Sequence, residues 1–395
     1  MLYMLYAFKN IMDALERIKD KTEKLVIGLM SGTSQDGIDA ALLKIKGSGK
    51  DTSFEVLSFE TYDYDKEMKA KLHEATTKEL VSLNDITRLN FAVGKAFAKA
   101  AIRLCGKANI SINQVDLIGS HGQTIAHLPK DLEFCGETVR ATMQIGEPSI
   151  ISKETGCVTV ADFRPCHIAL GGEGAPLTSY TDYIIFSSKG KSRAVVNIGG
   201  ITNITALPKN CGIEQVKAYD LGPGNMCIDE AMRILYKKEY DKDGMVAKRG
   251  KVNLVLLNLM LKNKFFQSRL RSSGNFDFGR AFIESILKEA KKKNISSEDV
   301  ISTFTELTAS LIAKTLIQEK VEEAVLCGGG YNNPELRQRI TSQSKDVKFK
   351  DIKDFGMTAD NREAAAFAIL ANETVSGSQN SLTVKRGFLG KIVLP

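Results

Sequence analysis

The feature that most constrains the fold of this 395-residue chain is a pattern of strands and helices that occurs twice. In each half, runs of β-branched and aromatic residues joined by short turns precede helical segments. The runs are Leu25–Met30, Ile38–Ile45 and Phe54–Tyr62 in the first half, and Ala194–Ile198, Thr202–Leu207 and Val216–Leu221 in the second. The repetition predicts a duplicated α/β unit, and two such units facing each other would form a ligand cleft.

Helices and a further strand are expected in each half. Ser82 is the expected N-cap of a helix with an apolar stripe from Leu83 to Leu104, and a buried strand, Val115–Gly119, should lead into a polar loop at Ser120–Thr124. The second half predicts helices at Asn225–Tyr236, Gly279–Lys292 and Ser302–Glu319, a strand at Ala324–Cys327, and a helix starting near Asn333. A last helix is predicted over Asn361–Leu370.

Glycine-rich turns lie at corresponding strand ends of the two halves, within Gly28–Asp39, Asn197–Asn203 and Gly328–Gly330. Glycine lets the backbone approach an anion, and successive N–H groups with the Thr33 and Ser34 hydroxyls can form a nest for phosphate oxygens. Alone, the first motif fits a plain hairpin turn equally well, but three equivalent turns favour phosphate binding. No GxxxxGK(S/T) motif and no strand–GxGxxG–helix unit occurs, which argues against P-loop and Rossmann folds.

Three charged residues are candidates for catalysis, substrate binding or metal binding. Asp220 ends a predicted strand before Gly222-Pro223-Gly224, so it is either a general base or the cap of the next helix. Arg164 can pair with a substrate carboxylate, or with Asp162 as a structural ion pair. Asp36 can hold Mg²⁺ through water, because hard cations take carboxylate oxygens.

Composition narrows the class of protein. The net charge of +7 is mild, and the run Lys288–Lys293 reads as a solvated helix face without the aromatic residues that stack on bases. The seven cysteines contain no CxxC pair, which predicts reduced thiols and a cytoplasmic location. The four histidines are too few and too dispersed for a zinc site.

Residues 1–24 read as an amphipathic N-terminal extension, because Leu5, Phe8, Met12, Leu15 and Ile18 recur at helical spacing. Its apolar run is too short to span a bilayer, which leaves packing on the body or on a partner, or attachment to a membrane surface. The expected domain plan is this extension, a first lobe at 25–190 completed by about 361–395, and a second lobe at 191–360.

At this point the residues resemble a known family, the anhydro-N-acetylmuramic acid kinases of bacterial cell-wall recycling. The resemblance spans the chain from about residue 25, with its motifs in family order. Its blocks are Gly28–Asp39, Gly119–Thr124, Gln144–Gly146, Ala161–Arg164, Gly171–Leu177, Asn197–Asn203, Asp220–Asn225, Asp243–Val252, Cys327–Gly330 and Leu389–Lys391.

The resemblance implies two ribonuclease-H-like domains of the actin/hexokinase type, as duplicated βββαβα units around a central cleft. It also implies use of ATP with Mg²⁺, a 1,6-anhydro sugar and water, with N-acetylmuramic acid 6-phosphate and ADP as products. Asp220 falls on the family's catalytic base and Glu363 on a cleft glutamate, a residue that otherwise reads as solvated. The expected cofactor-binding residues are Gly32, Thr33, Ser34, Gln35, Asp36, Gly37, Ile38, Asp39, Gly199, Gly200, Asn203, Gly328 and Gly329, and the expected substrate-binding residues are His121, Asp162, Arg164 and Glu363.

Several residues depart from the family pattern. His167 stands in place of the usual Asp, Glu173 in place of Gln, and Gln35 in place of a hydrophobic residue, while Ser272–Phe276 lacks the usual Arg-Glu. These changes put the identity of the sugar in doubt more than the use of ATP. An ordinary sugar kinase of the same fold and a nucleotide-dependent clamp remain as alternatives, although Asp220 disfavours the clamp. The sequence allows a homodimer and predicts no nucleic-acid partner.

Overall fold

The computed structural model describes residues 15–32, 35–78, 80–267, 278–383, 385 and 387–395. The chain forms two compact units. The first, called unit 1 here, comprises the chain up to Ile184 together with Gly356–Pro395, and unit 2 comprises Ile185–Phe355. The N-terminal extension lies outside the described residues up to position 14, and residues 15–20 are helical as expected.

Unit 1 is built on a mixed sheet with the strand order β12-β6-β4-β1-β2-β3, to which β5 is added as a partner of β4. Strands β1, β2 and β3 pair antiparallel, while β1 with β4 and β4 with β6 pair parallel. The strands are β1 (Glu23–Ser31), β2 (Gly37–Lys46), β3 (Ser53–Asp63), β4 (Leu117–Phe134), β5 (Glu137–Ile145), β6 (Val158–Ala161) and β12 (Lys391–Val393).

Unit 2 contains a sheet with the order β11-β10-β7-β8-β9. Its first three strands again pair antiparallel, and β7 with β10 and β10 with β11 pair parallel. The strands are β7 (Arg193–Ile198), β8 (Ile201–Leu207), β9 (Lys217–Pro223), β10 (Glu323–Cys327) and β11 (Lys348–Lys350). Apart from β5 and the edge strand β12, the first sheet has the order β3-β2-β1-β4-β6 and the second has the matching order β9-β8-β7-β10-β11. This repeated order confirms the predicted duplication.

Helices cover both sheets and supply most of the apolar core. In unit 1 they are residues 15–20, Lys66–Thr77, Leu83–Lys107, Pro148–Thr155, Phe163–Ala169, Thr178–Phe186 (which runs into unit 2) and Arg362–Ser376. In unit 2 they are Asn225–Tyr236, Met245–Arg249, Leu254–Leu261, Arg280–Lys292, Ser297–Gln318 and Pro334–Gln343. Short 3₁₀ turns occur at Gly49–Asp51, Ile112–Gln114, Ile213–Gln215, Lys242–Gly244, Lys264–Gln267, Gly329–Asn332 and Ile352–Phe355.

The helix predicted to begin at Ser302 begins at Ser297 instead. Ser296 caps it by accepting a hydrogen bond from the Asp299 backbone N–H at 3.1 Å, and acidic residues in the first turn favour the positive end of the helix dipole. This helix is the one in the described part of the chain that is long and apolar enough to cross a membrane. Ile301, Phe304 and Leu307 on it are fully buried, as expected for a helix in the core of a unit.

The prediction of a polar loop at Ser120–Thr124 is wrong, because these residues continue strand β4. Ser120, His121 and Gln123 are buried there. The hairpin formed by β4 and β5 was not predicted either. Its strands carry many polar residues, so their sequence lacks the apolar signal of a core strand.

Two glycines on adjacent strands decide where helix Arg362–Ser376 lies. Gly28 of β1 and Gly119 of β4 are directly paired in the parallel register. A Cβ atom on Gly28 would come within 1.8 Å of the Ala364 carbonyl oxygen, and one on Gly119 within 2.1 Å of that of Phe367. The helix can rest on the sheet only because both positions lack a side chain. Gly28 is thus a packing residue rather than a part of an anion nest.

Candidate active site

In unit 2, three polar residues lie side by side on neighbouring strands. Asn197 of β7 pairs with Asn203 of β8, and Asn203 pairs with Asp220 of β9. Directly opposed residues point to the same face of an antiparallel sheet, so these side chains form one row. All three are half-buried. The row places a carboxylate beside two amides on a rigid three-stranded frame.

The alternative in which Asp220 caps the following helix is wrong. The N-cap of helix Asn225–Tyr236 is Gly224, and Asp220 lies inside β9. The register of β8 and β9 shifts between Thr202 and Asn203, so the strand is irregular beside Asp220. Such irregularities re-aim side chains and occur often near functional sites.

The two glycine turns of unit 2 lie at the ends of the parallel neighbours β7 and β10, where Cys327 pairs with Asn197. Gly328 has φ +79°, and a Cβ atom there would come within 2.5 Å of the Asn197 Oδ1 atom. At Gly329, by contrast, the nearest atom to such a Cβ is the Asn225 Nδ2 atom, at 3.6 Å. Gly328 is therefore fixed by conformation and packing, whereas Gly329 has room around it.

The Gly199-Gly200 turn is held by the start of the next helix. The Gly199 carbonyl accepts from the Asn225 N–H at 2.8 Å, and the Gly200 carbonyl accepts from the Gly224 N–H at 2.8 Å and the Met226 N–H at 3.2 Å. These bonds are all between backbone groups, and the Asn225 Nδ2 atom lies 3.4 Å from the carbonyl oxygen of Ile198, which precedes the turn.

In unit 1, the turn between β1 and β2 is held by a buried glutamine from β4. Gln123 Nε2 donates to the Gly32 carbonyl at 3.1 Å, and its Oε1 accepts from the Ser31 hydroxyl at 2.6 Å. The Ser31 hydroxyl also lies 2.8 Å from the Gly37 carbonyl, at the other end of the turn. Gln123 was not predicted as a site residue, yet it joins the turn to the sheet.

The predicted phosphate-binding residues of this turn have different surroundings. Thr33 and Ser34 lie outside the described residues. Gln35 adopts φ +60°, and its side chain donates to Thr76 Oγ1 at 2.7 Å. The Ile38 side chain belongs to the core, and a Cβ atom on Gly37 would come within 2.6 Å of the Tyr62 carbonyl oxygen. Gly37 and Ile38 can therefore reach a ligand only through backbone groups.

Beyond the turn, several carboxylates influence one another. Asp39 is half-buried and accepts a hydrogen bond from the Thr61 hydroxyl at 2.6 Å. Burial raises the pKa of Asp39, and the charges of Glu363, Asp360 and Asp36 raise it further, against the Thr61 hydrogen bond. Glu363, in the first turn of helix Arg362–Ser376, is partly buried rather than a fully solvated residue. A cation near these groups would relieve their repulsion.

A second network of hydrogen bonds in unit 1 is organised around Arg164. Its Nε donates to His121 Nε2 at 2.8 Å, and its Nη1 donates to the Gly174 carbonyl at 2.7 Å. The Gly174 N–H donates to His167 Nδ1 at 2.9 Å. His121 Nδ1 in turn lies 2.9 Å from the Gly122 carbonyl, which assigns the proton of a neutral imidazole to Nδ1.

The electrostatics agree with this arrangement. Burial and the Arg164 charge hold the pKa of His121 far below its ordinary value and lower the pKa of His127 and of His167 to about 4. Burial lowers the pKa of Arg164 to about 10, while the charge of Glu363 opposes that shift. At neutral pH one guanidinium cation therefore stands among three neutral histidines, which suits an anionic group of a ligand.

The structural pairing of Asp162 with Arg164 is wrong. Asp162 forms an ion pair with Lys391, in which Asp162 Oδ2 lies 2.9 Å from Lys391 Nζ, while Arg164 donates hydrogen bonds to His121 and Gly174. The Asp162 backbone is left-handed at φ +58°, an unusual conformation for a residue other than glycine.

Asp162 and His121 line a small polar cavity in unit 1. The cavity has a volume of about 170 Å³, and its lining also includes Asn90, Ser120, Gln144 and Glu147. Ser120 Oγ and Gln144 Oε1 are buried and have no hydrogen-bond partner among the described residues. Unsatisfied buried polar atoms call for a polar ligand or water, and hydroxyl groups of a sugar would satisfy them.

Within the described ranges, no group of three or more His, Cys, Asp or Glu side chains is arranged to hold a metal ion. Two further site residues were missed from the sequence, Asn197 and His167. Asn197 lies within the second glycine motif, and His167 is a departure from the family pattern.

Two units with this repeated strand order, each with a glycine turn after its first strand, define the class as an actin/hexokinase-type fold. The family model for anhydro-N-acetylmuramic acid kinase matches residues 24–394. The chain therefore belongs to the anhydro-N-acetylmuramic acid kinase family.

Relatives agree with the family assignment. The anhydro-N-acetylmuramic acid kinase of Caldanaerobacter subterraneus subsp. tengcongensis is 44% identical over 97% of this chain and 99% of its own length. That of Clostridioides difficile is 39% identical over 93% and 96%. Among solved structures, the (R)-2-hydroxyglutaryl-CoA dehydratase component A of Acidaminococcus fermentans aligns with a TM-score of 0.45 at 12% identity, covering 89% of this chain and 99% of that one. The fold assignment rests on the strand order and not on that alignment.

Proposed function

We propose that this protein is an ATP-dependent kinase that opens 1,6-anhydro-N-acetylmuramic acid with water and phosphorylates the freed 6-oxygen. The products are N-acetylmuramic acid 6-phosphate and ADP. The observation that carries the proposal is the family match over residues 24–394, together with 44% identity to a relative of that name. The enzyme would thus belong to the phosphotransferases that act on sugars.

Asp220 is the proposed general base. Its carboxylate takes a proton from water, and the water oxygen bonds to the anomeric carbon as the bond from that carbon to the bridging 6-oxygen breaks. The 6-oxygen keeps the electron pair and bonds to the γ-phosphorus of ATP, while ADP leaves and one proton is released overall. The position of Asp220 inside β9, in register with Asn203, supports this role because the strand fixes the direction of the carboxylate.

The phosphates of ATP are the proposed ligand of the glycine turns. In unit 2 these are Gly199-Gly200 and Gly328-Gly329, with Asn203 beside them, and in unit 1 the segment Gly32–Asp39. The room at Gly329 and the fixed shape of the Gly199-Gly200 turn support the assignment. We also assign the adenosine to unit 2.

Mg²⁺ is the proposed companion of ATP, with Asp36 as a residue that can hold it through water. When bound, the ion neutralises phosphate charge during transfer. The mutual repulsion of the carboxylates near Asp39 supports a cation in this part of unit 1.

For the sugar, we assign the carboxylate of its lactyl group to Arg164. The guanidinium has donors beyond the two used by His121 and Gly174, and a charged carboxylate can bond to a guanidinium through two oxygens. His121 acts in this scheme by orienting Arg164. Asp162 contributes to the polar cavity, and Glu363 balances the arginine charge.

Cytoplasmic location is the proposed setting. All seven cysteines are free thiols, as expected in a reducing compartment. ATP is also available there. Nucleic acid has no place in the proposed reaction.

The decisive experiment supplies the purified protein with ATP, Mg²⁺ and anhydro-N-acetylmuramic acid in ¹⁸O-labelled water. We expect a 6-phosphorylated product with the label on the anomeric oxygen, detected by mass spectrometry. A phosphorylated product without label would indicate an ordinary kinase acting on a sugar hydroxyl. Absence of sugar-dependent ADP release would contradict both kinase functions.

A matched comparison tests the proposed contact with the sugar. The substrate and its analogue without the lactyl carboxylate, 1,6-anhydro-N-acetylglucosamine, are offered to the wild type and to Arg164→Gln. If Arg164 binds the carboxylate, the wild type prefers the acid by about tenfold or more in kcat/KM, and the variant loses that preference. An undiminished preference in the variant would assign the carboxylate to another residue.

A further inference from the structure

The loop Gly171–Gly174 in unit 1 folds around the side chain of His167. The Gly172 N–H donates to the His167 carbonyl at 2.9 Å, and the Gly174 N–H donates to His167 Nδ1, also at 2.9 Å. A Cβ atom on Gly172 would come within 2.3 Å of His167 Cε1, so the imidazole ring packs directly against the backbone of this residue. His167 therefore holds the loop both by packing and by a side-chain hydrogen bond.

Gly174 is hydrogen-bonded through both of its backbone groups to side chains of one helix. Its N–H donates to His167, and its carbonyl accepts from Arg164 Nη1 at 2.7 Å. His167 and Arg164 are three positions apart on helix Phe163–Ala169, and residues at that spacing are neighbours on the helix surface. Because one buried residue joins the two side chains, a shift of Gly174 away from His167 would also disturb its contact with Arg164.

The direction of the Arg164 guanidinium depends on two acceptors. Nε donates to His121 and Nη1 donates to the Gly174 carbonyl. A guanidinium has five N–H donors, so three remain after these two bonds. Two-oxygen binding of a carboxylate requires those remaining donors to lie in a fixed plane. Without the Gly174 carbonyl, His121 alone would hold the group, and the plane would no longer be fixed at two points.

The chemistry of His167 suits a fixed acceptor and not a proton carrier. Its Nδ1 accepts from Gly174, which assigns the proton of the neutral ring to Nε2. Burial, and then the charge of Arg164, lowers the pKa of His167 to about 4. At neutral pH the ring is therefore uncharged, and the hydrogen bond to Gly174 is present in essentially every molecule.

The opposite side of the loop is held by a different side chain. Arg140 forms a double hydrogen bond with Asp131 and lies 3.5 Å from the Gly171 carbonyl oxygen and 3.4 Å from that of Gly172. These contacts hold the first half of the loop. Gly174, at the end of the loop, is held by His167 through its N–H, and its carbonyl is the group that contacts Arg164.

We propose that His167 is a positioning residue for Arg164. By holding Gly174 it keeps the Gly174 carbonyl on Nη1, and it thereby directs the remaining donors of the guanidinium towards the carboxylate of the sugar. His167 would thus contribute to the preference for an acidic sugar without touching the sugar itself. The proposal rests on the proposed contact between Arg164 and that carboxylate.

The test compares two replacements of equal size. His167→Asn keeps an acceptor oxygen at the position of Nδ1, whereas His167→Leu places a methyl group there and leaves the buried Gly174 N–H without its acceptor. In His167→Leu, the KM for anhydro-N-acetylmuramic acid should rise about tenfold, as expected for the loss of one buried hydrogen bond. The kcat, and the KM for 1,6-anhydro-N-acetylglucosamine, should stay close to the wild type. His167→Asn should restore the low KM for the acid.

A purely structural role of His167 gives a different result. Both variants would then melt at lower temperature, and the KM values for the acidic and the neutral sugar would rise together. A second comparison uses Arg164→Gln as the background. Because His167 acts through Arg164, adding His167→Leu to that variant should leave the KM for the acid unchanged. A tenfold rise in both backgrounds would overturn the proposal.

A readout that needs no turnover separates this proposal from the proposed function. The ¹⁵N NMR signal of the Arg164 Nε–H group is assigned by its loss in Arg164→Gln. It should shift, and exchange faster with water, in His167→Leu, and it should stay near the wild-type position in His167→Asn. An unchanged signal in His167→Leu would overturn the role of His167 even in an active enzyme. A wild type without sugar-dependent turnover would contradict the proposed function, and the NMR comparison would still decide whether His167 positions Arg164.

Discussion

The first turns of the two sheets occupy equivalent places in the strand order, but they are fixed in different ways. In unit 1 the turn after β1 is held mainly by side chains, because the buried amide of Gln123 and the Ser31 hydroxyl bond across it beside one backbone bond, from the Gln35 N–H to the Gly32 carbonyl. In unit 2 the Gly199 and Gly200 carbonyls are held by backbone N–H groups at the start of helix Asn225–Tyr236. A turn of the first kind can be disturbed by changing a side chain, whereas one of the second kind is sensitive mainly to the backbone.

The rows of residues behind the two turns differ as well. Opposed residues across the first three strands are Met30, Asp39 and Thr61 in unit 1, and Asn197, Asn203 and Asp220 in unit 2. The carboxylate is on the middle strand in unit 1, where the Thr61 hydroxyl binds it. In unit 2 it is on the third strand. The two units therefore share the arrangement of their first three strands but differ in the polar side chains at equivalent positions on them.

The largest effect is expected from the carboxylate that distinguishes the unit 2 row. Asp220→Asn should lower kcat by about 10³-fold, because an amide cannot take the proton from water. Nucleotide affinity should stay close to that of the wild type, as measured by isothermal titration. Asp346→Asn, which changes an exposed carboxylate of the same unit, serves as the control and should retain full activity. Unchanged turnover in Asp220→Asn would remove this residue from the mechanism.

A second prediction separates two adjacent glycines of unit 2. Gly328→Ala places a Cβ atom within 2.5 Å of Asn197 Oδ1 in a backbone conformation that suits only glycine. We expect a loss of about 1–3 kcal/mol in the free energy of unfolding, together with weaker ATP binding. Gly329→Ala, with its nearest neighbour at 3.6 Å, should unfold like the wild type. Urea titration measures the free energy of unfolding of both variants. Equal destabilisation would show that the close contact with Asn197 at Gly328 does not determine the loss.

In unit 1 the corresponding test changes a side chain. Gln123→Leu leaves the Gly32 carbonyl with the Gln35 N–H as its remaining donor. The KM for ATP should therefore rise about tenfold, in line with the loss of one or two buried hydrogen bonds. Asn380→Leu is the control, because this buried amide makes comparable hydrogen bonds, to the Leu370 carbonyl and from the Leu389 N–H, away from the turn. Both variants should lose stability, while only Gln123→Leu should change the KM. Equal KM values would deny Gln123 a role in shaping the turn.

The smallest expected effect is a difference between the two units in how their stability depends on pH. All four histidines of the chain belong to unit 1. Burial and Arg164 lower the pKa of His127 and His167 to about 4. Their contribution to stability is present above pH 6.5 and is lost as the pH falls towards 4, because the unfolded chain binds protons that the folded one does not.

Carboxylates act in the opposite sense. Burial raises the pKa of Asp229 in unit 2 to about 6, so its contribution is present at low pH and is lost as the pH rises through 6. The raised pKa of Asp39 offsets part of the histidine effect in unit 1. Hydrogen exchange at pH 7 and pH 5, corrected for intrinsic rates, should show unit 1 losing protection before unit 2. Equal losses in both units would contradict this ranking.

Local sequence patterns predict most of the strands and helices of the two units. The strands at Ile38–Ile45 and Ala194–Ile198 and the helix Asn225–Tyr236 were predicted within a residue at each end, because their periodicity and turn residues are local properties. Strand β4 was cut short, since Ser120–Thr124 is polar although buried. The Gln123 side chain in this segment bonds to Ser31 and Gly32, about 90 positions away, and no window of sequence contains that information.

The sequence by itself determined the duplication, the three glycine turns and the family motifs with Asp220 among them, because strand and turn preferences act between near neighbours. Only the tertiary structure decided what several of those residues do. Gly28 makes room for a helix that begins more than 330 residues later, and Arg164 binds His121 and Gly174 instead of Asp162. Each of these roles depends on which distant group fills the space beside a buried atom, and that is settled by packing.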